Sequence, residues 1–242
     1  MNKVPLAQKG MEKMFYYYDP TYFLVIIGFA LAAFASMGVQ AAFKKYEKVK
    51  SVRQYTGADS ARKILDANGL YDVRVEHISG NLTDHFDPKS NVIRLSDATY
   101  GSTSVAAIGV AAHEAGHAVQ HAEGYVPIKV RNAIVPAVNI CSTLAMPIFI
   151  VGLLLEKLNL AYAGIILFAT ALLFQLITLP VEFDASHRAI KILDSAAMLE
   201  EDELRGAKKV LRAAAMTYVA AVLSSALQIL RLILISNSRR DD

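Results

Sequence analysis

The sequence GVAAHEAGHAVQHAEGY, residues 109–125, holds three of the six histidines of the chain. These are His113, His117 and His121, and their spacing of four residues places all three on one face of a helix. The segment contains HEAGH, an H-E-x-x-H pattern in which two imidazoles one turn apart bind Zn²⁺ with bonds of about 2.0–2.1 Å. Glu114 lies beside them, where its carboxylate can take a proton from an attacking water. The segment therefore predicts a helix with two zinc ligands, His113 and His117, and a general base, Glu114.

His121 is too far along this helix to be the third ligand. At a rise of about 1.5 Å per residue it lies roughly 12 Å from His113 along the axis, which two bonds of about 2 Å to one ion cannot span. The spacing also differs from that of the metzincins, in which a glycine and the third histidine follow at fixed positions. We therefore interpret His121 as a polar residue at the helix end, or as a contact to substrate or to a ligand side chain.

The third ligand is expected from another polar segment. LPVEFDASHRAIKIL follows two apolar stretches, so the chain returns there to the side of the membrane that carries HEAGH. Two segments supply candidates: LPVEFDASHRAIKIL contains Glu182, Asp184 and His187, and TDHFDP contains His85 and Asp87.

Composition indicates an integral membrane protein. Hydrophobic residues make up 54% of the 242 residues, against about 45–50% in soluble domains. The excess is concentrated in stretches that reach the roughly 20 residues needed to cross a bilayer as a helix. The first stretch is longer than the core of a signal peptide and is followed by two lysines, as a stop-transfer segment is. Four transmembrane helices are predicted, at residues 21–43, 134–155, 160–179 and 213–235.

Charge distribution predicts the orientation. Residues 44–131 and 188–212 hold 18 lysines and arginines, whereas the opposite side holds 6, and Arg231 lies inside the fourth apolar stretch. Because positive residues concentrate on the cytoplasmic side, this predicts that residues 44–131 and 180–212 are cytoplasmic. Both termini then lie outside: an extension with an interfacial aromatic segment at 1–20 and a tail at 236–242. No basic surface with interleaved aromatic residues indicates nucleic-acid binding.

The polar region at 44–131 is predicted to be a small α+β domain. GADSARKILDANGL indicates a short helix with Asp59 or Ser60 as its cap and Gly69 at its end. YDVRVEHI and SNVIRLS read as two strands or a wide hairpin around a turn-rich segment. The HEAGH helix is expected to begin at Ser and Thr caps and to run to Gly124.

Four long motifs resemble one family. YYYDPTY, TGADSARKILDANGLYDVRVEHISGNLTDHFDPKSNVIRLS, AAHEAGHAVQHAEGY and LPVEFDASHRAIKIL are similar to those of the YugP-type neutral zinc metallopeptidases, bacterial membrane proteins. The resemblance covers the chain from about Met14. More distantly, HEAGH with EFDAS is similar to membrane gluzincins, in which a glutamate of such a segment is the third zinc ligand; this maps onto Glu182. Where that pattern ends in aspartate, Ser186 stands here, with Asp184 or His187 as substitutes for its hydrogen bond.

The resemblance implies a membrane-embedded, zinc-dependent endopeptidase with a zincin-like domain, acting on proteins or peptides at the cytoplasmic face of the bacterial cell membrane. By analogy with zincins, the strand NVIRLS is expected to bind extended substrate by edge pairing, and His121 and Tyr125 are candidate substrate or oxyanion contacts. The alternative is a zinc-binding membrane adaptor or scaffold without turnover. Structural zinc usually has four protein ligands, often cysteines, and the single cysteine, Cys141, lies in an apolar stretch. A homo-oligomer or a membrane partner protein is compatible with either function.

Overall fold

Six helices and three short strands make up residues 19–238, the part of the chain that the computed structural model describes. The predictions for the N-terminal extension, its aromatic segment up to residue 18 and the last four residues of the tail lie outside this part. The elements are α1 (Tyr22–Tyr46), α2 (Gly57–Ala67), β1 (Arg74–His77), β2 (His85–Asp87), β3 (Val92–Leu95), α3 (Val105–Ala122), α4 (Val126–Leu154), α5 (Leu158–Ser195) and α6 (Glu201–Ser238).

Four of the helices, α1, α4, α5 and α6, are long and apolar enough to cross a membrane, which confirms the predicted number. Two of them are longer than a bilayer requires. At 38 residues each, α5 and α6 are about 57 Å long, against a hydrocarbon core of about 30 Å. The segment predicted at 180–212 is therefore built mainly from the ends of these two helices.

Small residues allow the long helices to approach closely. A Cβ atom added at Gly164 would lie 2.6 Å from the backbone nitrogen of Phe149, so α4 and α5 touch through their backbones. Between α1 and α6, the Ser224 hydroxyl donates to the carbonyl of Gly28 at 2.9 Å. Arg231 of α6 forms an ion pair with Asp19 at 2.9 Å. This partner, just before α1, satisfies the charge that the sequence places inside the fourth apolar stretch.

The sheet differs from the predicted pair of strands. Its order is β1-β3-β2; β1 pairs with β3 in parallel and β2 pairs with β3 antiparallel. The hairpin interpretation was therefore wrong, and β2, which lies in the segment read as a turn, is an additional strand. The proposal that NVIRLS pairs with substrate was also wrong, because β3 is flanked on both sides. Val92, Ile93 and Leu95 are fully buried, as expected for a central strand.

Helix α3, which carries HEAGH, lies at the centre of the domain. Its N-cap is Ser104, whose side chain accepts from the backbone of Ala107, and the chain leaves the helix through Gly124 at φ +70°. The alanines and glycines of α3 allow neighbours on several sides: a Cβ atom at Gly116 would lie 2.8 Å from the carbonyl oxygen of Ala185 in α5. This close approach brings α5 against the histidines.

Helix α2 packs on α3 and completes the core of the domain, with Ile64 and Leu65 fully buried. Its cap is Thr56, which forms a capping box with Asp59. The prediction of Asp59 or Ser60 as the cap was wrong. Asp59 is the third residue of the helix, and its carboxylate accepts a hydrogen bond from the backbone N–H of Thr56.

Candidate metal centre

Three side chains from two helices converge at the end of the α3–α5 contact. The Oε2 atom of Glu182 lies 3.3 Å from Nε2 of His113 and 3.6 Å from Nε2 of His117. The ligand atoms of all three lie within 4.8 Å of one another. His113 and His117 are one turn apart on α3, and Glu182 follows Pro180 on α5, so the tertiary contact alone brings the carboxylate to the imidazoles.

The donor set fits a zinc ion. Oε2 of Glu182 is buried and has no hydrogen-bond partner, which is costly unless a cation satisfies it. Bonds of about 2.0–2.1 Å at tetrahedral angles place two ligand atoms about 3.3–3.4 Å apart, close to the two observed separations. Two imidazoles and one carboxylate are also the ligand set of catalytic zinc sites, in which a fourth position stays open.

Each imidazole is oriented by a hydrogen bond at its Nδ1 atom. His113 Nδ1 lies 3.1 Å from the hydroxyl of Ser186, and His117 Nδ1 lies 3.0 Å from Oε1 of Gln120. If each Nδ1–H donates, each Nε2 keeps its lone pair directed toward Glu182, which is the tautomer that metal binding needs. Ser186 thus occupies the place where the resemblance expects an aspartate, and its hydroxyl can accept the hydrogen bond from His113 Nδ1.

Gln120 connects the two helices, and its role was not predicted from sequence. It is fully buried, and its amide group donates to the carbonyl of Val181 at 2.8 Å and to Asp184 at 2.7 Å. Asp184 therefore acts on His117 through Gln120 rather than directly. The sequence signal was a glutamine three residues after His117, on the same helical face.

Glu114 is held by the edge of the sheet. Its Oε2 atom accepts a hydrogen bond from the backbone nitrogen of Phe86 in β2 at 2.9 Å. Because Phe86 N–H points toward α3, this side of β2 faces away from β3 and toward the metal cluster. The carboxylate is thus fixed beside the histidines without being one of the three clustered ligands.

Two further polar side chains border the cluster, and both were missed from sequence. Arg131 of α4 donates to Oε1 of Glu182 at 3.2 Å, so the two oxygens of this carboxylate have separate surroundings. Tyr218 of α6 lines the cavities on both sides of the cluster. Neither belongs to a recognisable motif, because each reaches the site from a different long helix.

The cluster lies between two cavities. One, of about 190 Å³, is lined largely by polar residues, and its lining includes His85, Pro88 and Asn132. The other, of about 220 Å³, is mainly apolar and lies toward α1 and α6. Five residues line both cavities, so the two adjoin at the cluster, and we name them together the cleft: Asp84, His113, Glu114, Glu182 and Tyr218.

The alternative ligand candidates lie outside the cluster. The exposed His85 places its Nδ1 atom 2.9 Å from the carbonyl of Thr83. Asp87 accepts from Ser90 and Arg94, and these hydrogen bonds hold the pKa of its carboxyl far below its usual range. Exposed His187 lines a different cavity, which also contains Asp184.

The two candidate substrate contacts at the end of α3 are also separated from the three ligands. His121 is exposed, and its ring packs edge-on against Phe86 at 5.9 Å between centroids. Tyr125 lies under the Arg188 guanidinium, 5.8 Å from the ring centroid, and lines neither cavity of the cleft. His121 therefore stays close to the β2 side of the site, whereas Tyr125 does not.

Electrostatics favour a cation at the cluster. Burial by itself lowers the pKa of the His117 imidazole, but the neighbouring carboxylates of Glu182 and Glu114 and the hydrogen bond to Gln120 raise it overall. The surroundings of this imidazole are therefore arranged to stabilise a positive charge. The negative charges of Glu114 and Glu182 stabilise a bound proton and a bound metal ion alike.

Comparison with known proteins agrees with this geometry. Residues 21–237 match a family described as "Putative neutral zinc metallopeptidase". The chain belongs to this family. It is 50% identical over 220 residues to the "Putative membrane protease YugP" of Bacillus subtilis (strain 168), an alignment that covers 91% of this chain and 98% of that protein. No solved structure matches the chain significantly. The family match and the four apolar helices identify this chain as a membrane member of a zinc metallopeptidase family. Its cluster of His113, His117 and Glu182 is suited to the metal.

Proposed function

We propose that the chain is a membrane-embedded, zinc-dependent endopeptidase of the gluzincin type, with its active site at the cytoplasmic face of the bacterial cell membrane. The convergence of His113, His117 and the unpartnered Oε2 atom of Glu182 supports this proposal most strongly. These three residues would hold the zinc. When bound there, zinc lowers the pKa of water toward about 7 and polarises the carbonyl of the peptide bond.

Glu114 is the general base in this proposal. Its carboxylate takes a proton from the attacking water and passes that proton to the leaving amine. The hydrogen bond from Phe86 N–H occupies Oε2 of Glu114, so the other oxygen is the one directed to the water. Arg131 and Tyr218, which border the cluster, are positioned to donate hydrogen bonds to the negative charge that develops on the carbonyl oxygen.

Strand β2 replaces β3 as the expected substrate-binding edge. Within residues 19–238 it is paired on one side only, with β3, and its other side faces Glu114. Because the N–H of Phe86 is bound to Glu114, an extended peptide lying along this edge would donate its own N–H groups to main-chain carbonyls of β2, and sequence specificity would come from side-chain pockets.

The cytoplasmic location rests on the lysine and arginine distribution, 18 against 6, together with the tendency of positive residues to remain inside. The long ends of α5 and α6 would then project from the membrane into the cytoplasm and carry Glu182 to the domain at 44–131.

Glu114→Gln tests the catalytic assignment. It removes the base and no zinc ligand, so zinc should remain near one per chain. Proteolysis of unfolded casein should fall by at least about 10²–10⁴-fold, the usual contribution of general acid–base catalysis. Glu201→Gln is the matched control, because the Glu201 side chain is 87% exposed. Full activity of the Glu114 variant contradicts the mechanism. If the unaltered chain binds zinc but cleaves nothing, the adaptor function replaces this proposal.

A further inference from the structure

The mainly apolar half of the cleft, which we name the apolar chamber, extends from the metal cluster toward the membrane helices. It is lined by Val39 and Phe43 of α1, by Val110 of α3, and by Val210, Leu211, Ala214 and Ala215 of α6. Its volume of about 220 Å³ far exceeds the roughly 10–15 Å³ that one water needs by the same kind of measure. The chamber is therefore large enough for a bulky apolar side chain beside Glu114.

A second cavity adjoins the apolar chamber between α1 and α6. It has a volume of about 240 Å³, and we name it the α1–α6 notch. Its polar lining is Ser36 and Gln40 of α1 with Thr217 and Tyr218 of α6. The notch and the chamber have four lining residues in common, so they are adjacent: Val39, Leu82, Ala214 and Tyr218.

The notch lies at membrane depth. Gln40 and Ser36 precede Lys44 on α1 by four and eight residues, which is about 6 and 12 Å along the helix axis. Thr217 follows Arg212 on α6 by five residues, or about 8 Å. Since Lys44 and Arg212 are the first charges beyond the apolar stretches, the polar side chains of the notch lie within the apolar stretches, close to their ends, where Leu82 of the loop between β1 and β2 also reaches the notch.

Exposed polar groups at this depth need an explanation. Ser36 and Gln40 are both exposed in the chain, next to Phe34 and Met37, whose exposed fractions of 76% and 60% suit a surface that faces lipid. Polar side chains inside a membrane span are costly and characteristically border a functional path. A polypeptide that unwinds in the bilayer must find hydrogen-bond partners for its backbone, which lipid cannot supply. The notch has one amide and three hydroxyls; Thr217 donates to the carbonyl of Ala214 and Gln40 donates weakly to Ser36 across 3.5 Å, so the amide can exchange this contact for a peptide carbonyl.

We propose that the α1–α6 notch is a lateral entrance through which a bilayer-embedded polypeptide reaches the catalytic cleft. This inference rests on the proposed endopeptidase function and specifies its substrate class, a membrane-anchored protein cleaved close to its transmembrane segment. The unwound end of that segment crosses the notch, and an apolar side chain enters the chamber next to Glu114. The chain then leaves through the polar cavity past His85 and Asn132, toward water.

Filling the notch tests the entrance. Two peptides with the same casein-derived cleavable sequence are compared in proteoliposomes, one fused to a single transmembrane segment and one free. Thr217→Trp should lower the ratio of anchored-peptide to free-peptide cleavage by roughly tenfold, equivalent to about 1.4 kcal/mol. Phe34→Trp, a substitution on the lipid-facing surface of α1, should leave this ratio unchanged. Zinc content of each variant verifies that the cluster is intact.

The outcomes separate the entrance from the endopeptidase activity. An unchanged ratio for Thr217→Trp with normal zinc overturns the lateral entrance and leaves the protease assignment standing. If the parent chain cleaves neither peptide, the endopeptidase proposal fails, and photocrosslinking still tests the entrance. For that measurement, benzoylphenylalanine replaces Gln40 or, as control, Phe34 in a Glu114→Gln background. Preferential crosslinking of the anchored peptide at Gln40 supports the entrance, and equal yields at the two positions refute it.

Discussion

Replacing Glu182 by glutamine distinguishes the roles of its two carboxylate oxygens. The side chain is 4% exposed; Oε1 accepts from Arg131, and Oε2 faces the two imidazoles. Glutamine has nearly the same shape, and its carbonyl oxygen can still accept from Arg131. Its NH₂ group then stands where Oε2 stood and presents hydrogens instead of a lone pair. The substitution therefore removes one zinc ligand with little change in packing.

The size of the effect follows from the number of ligands. Structural zinc held by four protein ligands binds with about 10–16 kcal/mol near neutral pH, which is roughly 2.5–4 kcal/mol for each ligand if they share equally. At about 1.4 kcal/mol for each factor of ten, Glu182→Gln should raise the Kd for zinc by about 10²–10³-fold. Loss of the negative charge next to His117 acts in the same direction.

Zinc affinity can be measured by competition with a chromogenic chelator, using the detergent-solubilised protein. His121→Ala is the control, because His121 is exposed and lies outside the cluster, and its Kd should remain within about threefold of the unaltered protein. A Kd for Glu182→Gln that also stays within threefold would show that the carboxylate is not a ligand. If His121→Ala loses the zinc instead, the assignment of the α3 helix face is wrong.

Three further predictions concern orientation, pH and packing. Single cysteines replace Asn68 or Asn159 in a cysteine-free background, and intact cells are treated with an impermeant thiol reagent. Only the cysteine at position 159 should be labelled; labelling only at position 68 would reverse the orientation. Zinc affinity should fall as the pH drops through the raised pKa of His117, because protons compete for Nε2; a flat titration contradicts this. In the metal-free protein, the raised pKa of His117 adds to the free energy of unfolding below pH 6.5. This contribution is lost as the pH rises through the raised pKa. Gly116→Ala should destabilise the fold by about 1–3 kcal/mol because of the contact with α5, whereas Gly38→Ala, with nothing within 4 Å, should not lower the melting temperature.

Local spacing was sufficient to predict the metal-binding helix. Residues i and i+4 of a helix lie above one another, so HEAGH implies two adjacent imidazoles in almost any fold that keeps the helix. The four apolar stretches were equally informative, because the bilayer requires a minimum length of uncharged helix. Rejecting His121 as a ligand also needed only the helical rise, and the structure leaves it outside the cluster.

The arrangement of the sheet could not be predicted in this way. SNVIRLS was interpreted as an edge, but whether a strand is central depends on which other strands pair with it. The three residues of β2 are too few to show a period of two, and they become a strand only because β3 offers them a partner. Which strand forms the edge of the sheet is therefore decided by pairing between residues that are distant in the chain.

The surroundings of the metal site likewise depend on tertiary contacts. The return of its segment to the same side of the membrane made Glu182 one of several candidates, and the resemblance singled it out. Only the close α3–α5 approach at Gly116 brings it to within 3.3 Å of His113. Gln120, Arg131 and Tyr218 carry no motif, since a hydrogen bond between helices leaves no fixed spacing in the chain. The sequence by itself determined the helices, their membrane character and the pair of histidines, all of which follow from interactions within a few turns. The third donor and the orienting hydrogen bonds were decided by packing, because each joins residues that are distant in the chain.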